Sequence, residues 1–218
     1  MCSTTLDSFR ALNTYCFQGG DTVWRLTPND AGFFSIAGQI SQPTGSGPRH
    51  SVIHDDILVT LHETANTITT QRIPPLGQNS SGIISSLSVV PEDQVGLEGA
   101  IFAAAELLIP KPNKAFPSTL AYASNRNNGE SDPDPRGDSI AVFTLCADGK
   151  LELVNQFFTG LVQVRGMQFG GPDNKFLVAG GVAGDGGVVV FERVGNGADF
   201  VQVASNREVL GPRTFVWA

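Results

Sequence analysis

Six side chains in this sequence are suited to chemistry on a small anion: Arg49, His50, Glu63, Glu106, Arg126 and Arg165. Arginine presents a planar fork of donors that grips a carboxylate. A histidine or glutamate beside it can move a proton. Such a set fits a reaction that needs negative charge stabilised and a proton transferred. His50, Glu106 and Glu63 are the candidate catalytic groups; Arg126, Arg165 and Arg49 are the candidate substrate-binding groups. Only Arg49 and His50 are neighbours in the chain. The others meet only if the elements that carry them converge.

Other chemistries lack their residues. No Ser/His/Asp order and no metal-ligand cluster stands out, and the reading calls for neither a metal nor an organic cofactor. The three histidines (His50, His54, His62) do not converge, because strand alternation puts His54 at the far end of its strand from His50. Cys2, Cys16 and Cys146 are odd in number and form no CxxC pair, which reads as reduced thiols in a cytoplasmic protein. GGVAGDGG (Gly180 to Gly187) lacks the Lys-Ser/Thr and following helix of a phosphate loop, so it reads as a hairpin turn. The chain carries a net charge of -7 and no Lys/Arg run. That argues against a nucleic-acid partner and leaves anion binding to a few focused arginines. No signal peptide and no stretch of membrane-spanning length is expected.

The elements follow from an internal repeat. Three segments share one order of short apolar strands and Gly/Pro/Asp turns. They are GPRHSVIHDDILVTLHETANTITTQRI (47–73), AAAELLIPKPNKAFPSTLAYASNRN with DSIAVFTL (103–145), and VRGMQFGGPDNKFLVAGGVAGDGGVVVFERV (164–194). A fourth strand follows each: IISSLSVV, KLELVNQFF and FVQVASN. Residues 14–40 supply a partial copy without its first strand. Four-stranded antiparallel units repeated in this way predict an all-β fold, a β-propeller with about three and a half blades. The whole of 1–218 then forms one partial propeller, with a remnant at 14–40 and blades at about 47–90, 101–158 and 162–206.

In a blade the innermost strand lines the central channel and the second runs antiparallel beside it. The start of the first and the end of the second therefore share a rim. Arg49, His50, Glu106 and Arg165 fall at first-strand starts, and Glu63 and Arg126 at second-strand ends. All six are expected on one rim. The long polar loop after Arg126 (NNGESDPDPRGD) is an insert between second and third strands, expected over that rim, with its Arg136-Gly137-Asp138 triplet serving as a turn.

With these residues placed, the chain resembles the seven-bladed lactonase propellers. That family includes 6-phosphogluconolactonase-type proteins and fungal 3-carboxy-cis,cis-muconate cyclases. GPRHSVIH, LVTLHETANTITT, AAAELLIP, YASNRN with DSIAVF, VRGMQFGGPDNKFLVAGG and VVVFER carry the likeness. The cyclase branch implies reversible closure of a muconate carboxylate into a lactone. Arg126 and Arg165 would then hold carboxylates, His50 and Glu106 would transfer the proton, and Glu63 would orient His50 or share that work. The alternatives are hydrolysis of a sugar lactone such as 6-phosphogluconolactone, and a catalytically inactive half-propeller that serves as a binding module. The partner in the first two is a small anionic carboxylate or lactone. A family member has seven blades, so the rest of the ring is expected N-terminal to Met1 or from a homodimer of half-propellers.

Overall fold

The structure is a computed structural model that describes residues 13–17, 20–28, 30–129 and 134–217. Its strands form four antiparallel sheets in chain order. The first holds β1 (Asn13–Phe17), β2 (Thr22–Pro28) and β3 (Phe34–Ser41). The second holds β4 (Pro48–His54), β5 (Ile57–His62), β6 (Thr67–Arg72) and β7 (Ile83–Ser88). The third holds β8 (Phe102–Leu108), β9 (Leu120–Asn127), β10 (Ser139–Leu145) and β11 (Leu151–Phe158). The fourth holds β12 (Val162–Gly170), β13 (Phe176–Ala183), β14 (Gly187–Val194) and β15 (Asp199–Asn206). The fold is all-β, a partial propeller whose sheets are its blades. Among the described residues no helix is long and apolar enough to cross a membrane.

The core lies between blades rather than inside one. Along β5, Ile57, Val59 and Leu61 enter the apolar layer shared with the third sheet, while Leu58 faces the layer shared with the first. Along β9, Ala121 and Ala123 face the second sheet and Leu120 and Tyr122 the fourth. This is the period of two of a strand buried on both faces. It explains why β5 is buried throughout. The first strands of successive four-stranded sheets pack on one another, β4 on β8 and β8 on β12. Of the fourth strands, β15 is largely exposed and β7 and β11 are partly so. Turn residues suit their turns. The two-residue loop between β4 and β5 holds Asp55 at φ 53, a left-handed conformation that aspartate tolerates. The glycines at 184, 186 and 187 make the β13–β14 hairpin, as the GGVAGDGG reading expects. Cys146 is a free thiol; Cys2 lies outside the described residues.

Candidate functional site

Register sets the rim. Pro48 stands opposite His62, Ala103 opposite Arg126, and Val164 opposite Gly181. Each first strand also loses register near this rim, between Pro48 and His50, between Ala104 and Leu107, and between Val164 and Gly166. A bulge leaves an extra residue unpaired and re-aims its side chain. The residues at these three bulges are Arg49, Ala105 with Glu106, and Arg165. Two positions differ from the sequence reading: β8 begins at Phe102 and β12 at Val162, so Glu106 and Arg165 sit four and three residues into their strands, at the bulges.

The loop before β4 is tied down from the first sheet. The Asp21 carboxylate accepts the N–H of Gly45 at 2.6 Å and of Gly47 at 3.0 Å. Those bonds, that of Gly47 foremost, hold its pKa below the ordinary value. Gly47 has φ +63, and the Thr64 hydroxyl occupies the space of a Cβ there, so glycine is required. Its carbonyl accepts the N–H of Glu63 at 2.8 Å.

Glu63 sits between two guanidinium groups. Arg49 Nη1 donates to its Oε2 at 2.8 Å, and Arg126 Nη2 donates to its Oε1. Burial by itself would raise the Glu63 pKa, but the bonds and charges of the two arginines outweigh it and hold the carboxyl below its usual range. Arg126 is 3% exposed and also donates Nε to the Ala103 carbonyl at 3.2 Å. Arg49 donates Nε to the Ala105 carbonyl at 2.7 Å, which links the second blade to the third. Glu63 thus pairs directly with Arg49 and Arg126, and its charge also acts on His50, while Arg126 faces Glu63 rather than open space.

His50 stands by Glu106, with Nδ1 3.4 Å from Oε1. Burial, assisted by the Arg49 charge, lowers the His50 pKa to about 4, so the ring is neutral at pH 7. Burial raises the Glu106 pKa, while the Leu107 N–H on Oε1 at 3.1 Å works against that rise. The Ser124 hydroxyl accepts the Glu106 N–H at 3.0 Å and anchors the bulge to β9. Arg165 is exposed, and its charge acts on Arg126. The rim therefore brings together a neutral imidazole next to a carboxylate, an arginine–glutamate–arginine clamp, and a solvated arginine. His62 stands apart, fully buried, with Nε2 2.8 Å from the Thr69 hydroxyl. Among the described residues no group of three His, Cys, Asp or Glu side chains is arranged for a metal ion.

Glu130 and Asp132 of the polar insert lie outside the described residues. Beyond them, Arg136 donates to Asp134 and to Asp93 and lies over the Phe158 ring at 3.7 Å. Asp138, the last residue of the triplet, has a role the sequence reading missed. Its carboxylate accepts the N–H of Val164 at 2.9 Å and of Asn127 at 3.2 Å, so it joins the end of β9 to the start of β12. A cavity of about 150 Å³ lies nearby, with Gln94, Asn127, Asp134, Asp138 and Gln163 in its wall. None of the six site residues lines it.

The model of the lactonase family with a 7-bladed β-propeller matches residues 15–217. The chain belongs to that family. It is 29% identical over 170 residues to a probable 6-phosphogluconolactonase of Arthroderma benhamiae, a match over 74% of this chain and 39% of that protein. The fold is similar to that of the Pseudomonas aeruginosa periplasmic gluconolactonase, with a TM-score of 0.72 and 18% identity over 93% of this chain and 52% of that one. It is also similar to a Lactobacillus plantarum protein, with a TM-score of 0.71 and 20% identity over 89% and 51% of the two chains. The chain thus spans about half the length, or less, of the relatives it matches.

Proposed function

We propose that this chain supplies one half of a sugar-lactone hydrolase of the 6-phosphogluconolactonase type, with the rim cluster as its reactive centre. The observation that carries the reading is the neutral His50 beside Glu106, within reach of the arginine clamp. A neutral imidazole can take a proton from water as the oxygen attacks a lactone carbonyl. Negative charge then grows on the carbonyl oxygen, where Arg165 is the available guanidinium. The ring C–O bond breaks, the leaving oxygen receives the proton, and the product is a hydroxy acid. Glu106 orients the imidazole and stabilises it while it is charged. The clamp on Glu63 keeps Arg49 and Arg126 in fixed positions. The lactonase family and the name of the Arthroderma relative favour hydrolysis over muconate cyclisation.

The test is hydrolysis of 6-phosphogluconolactone and of glucono-lactone followed by acid release, with 3-carboxy-cis,cis-muconate followed by ultraviolet absorbance in parallel. Hydrolysis above the spontaneous rate that falls roughly 100-fold or more in His50→Ala supports the reading. No acceleration of either lactone rejects it, and turnover of the muconate alone moves the assignment to the cyclase branch. Apolar side chains exposed towards the two chain ends, Phe33 and Phe34 near one and Leu210 and Val216 near the other, support a homodimer that completes the channel. Light scattering behind size exclusion reads this directly; a monomer at every concentration rules the homodimer out.

A further inference from the structure

The cavity beside Asp138 lies where the third and fourth blades meet. Asn127 at the end of β9, Val162 at the start of β12 and Ala183 at the end of β13 all line it. Its volume of about 150 Å³ accommodates about six non-hydrogen atoms, the size at which a dry apolar cavity takes up a benzene ring. This wall is not apolar. Asn127, Asn128 and Gln163 bring amides to it, and Asp134 and Asp138 bring carboxylates.

Gln163 marks the place independently. Its φ is 60, a left-handed conformation that a residue other than glycine adopts at a cost. Backbone strain of this kind persists where the surroundings enforce it, and it gathers at ligand sites. Here the side chain crosses from β12 to β9, where Nε2 donates to the Asn127 carbonyl at 2.8 Å. The Gln163 N–H joins those of Asn127 and Val164 on the Asp138 carboxylate. The amide oxygen of Gln163 is left over. Among the described residues, neither that oxygen nor the side-chain amide of Asn128 has a hydrogen-bond partner.

The chemistry of the wall selects the ligand. Arg136 matches the charge of Asp134. Asp138 accepts backbone N–H groups instead, so the wall is negative and repels an anion. Its two carboxylates do not make up a metal site. An apolar guest would leave the amides and carboxylates unpaired. A hydroxyl donates to a carboxylate or amide oxygen and accepts from an amide N–H. A neutral molecule with a hydroxyl on each carbon therefore answers every group in the wall.

We propose that this cavity is a binding site for a small neutral polyol, about the size of glycerol, separate from the rim. None of the six rim residues lines it, so the proposal stands apart from the lactonase reading. NMR of the full chain titrated with glycerol tests it, with propan-1-ol and acetate as comparisons. The backbone N–H signal of Gln163 and the side-chain amide signals of Asn128 should shift saturably with glycerol, with a Kd on the order of 1–10 mM. Propan-1-ol and acetate should bind roughly tenfold more weakly or not at all. Gln163→Gly removes the amide and relieves the left-handed strain, so by circular dichroism it should fold as the wild type does. Its glycerol Kd, read at Asn128, should rise about fivefold or more. Shifts that grow with glycerol without saturating, equal binding of propan-1-ol, or a Gln163→Gly protein that keeps the wild-type affinity each overturn the proposal.

Discussion

At the scale of single residues the site is governed by burial and charge. Arg126 is almost fully buried, and its charge is tolerable because Glu63 answers it. Glu63→Gln leaves that guanidinium uncompensated. Breaking a buried pair from one side costs about 3 kcal/mol, or roughly 6–12 °C in Tm for a chain of this size. Thermal denaturation checks this, and the double variant Glu63→Gln/Arg126→Met should lose less than Glu63→Gln alone. His50 makes a second prediction. Its pKa is lowered from 6.5 to about 4, chiefly by burial. Between those values the unfolded chain binds a proton that the folded chain refuses. The stability contributed by the neutral ring is therefore complete above pH 6.5 and is lost as pH falls towards 4. The raised pKa of Glu106 acts in the opposite sense, so the informative comparison is wild type against His50→Gln. The variant should show the shallower decline in Tm over this window. The His50 ring protons should titrate near 4 by NMR, and a midpoint near 6.5 would remove the burial argument.

At the scale of elements the rim depends on a few polar ties between strands. Asp138 accepts backbone N–H groups from both β9 and β12, which carry Arg126 and Arg165. Asp138→Ala orphans those donors. We expect a loss of about 1–3 kcal/mol in urea denaturation, with faster amide exchange at Asn127 and Val164. Asp138→Asn keeps one acceptor oxygen and should lose less. The sequence shows why this tie was missed and the strands were not. A strand announces itself through alternation and bounding turns, and these lie within a few residues of each other. That is why β4 to β15 and the hairpin at 184–187 were readable. The donors to Asp138 come from residues 11 and 26 positions away, a spacing with no local signature. The bulges are likewise tertiary. Nothing in FAAAELL marks the two-for-one pairing that carries Glu106 to the rim. The Arg126–Glu63 bond has no local signature either, since Arg126 reaches Glu63 across the junction of two blades.

At the scale of the molecule the chain is an arc of blades, and its ends differ. Near the N-terminal sheet, Phe33, Phe34 and Ile36 are largely exposed. At the other end, the face of β12 and β13 is covered by the segment 211–217, whose Phe215 and Trp217 lie on Gly180 and Gly170. A blade face left open exposes apolar surface and strand edges, so the segment should act as a cover even without a sheet partner. A chain ending at Leu210 tests this. Two partly buried aromatic side chains are worth about 2 kcal/mol together, which is roughly 4–8 °C in Tm. The shortened chain should also bind more of an apolar dye at 25 °C, because the face of β12 and β13 that carries Gly166, Gly170 and Gly180 is then open. Gly170→Leu should reproduce part of the effect in the full-length chain, because its side chain would occupy the place of the Trp217 ring. If both variants melt with the wild type, the segment is a passive tail. If both melt lower, the terminal segment holds the fourth blade closed in the same way that β8 closes the second.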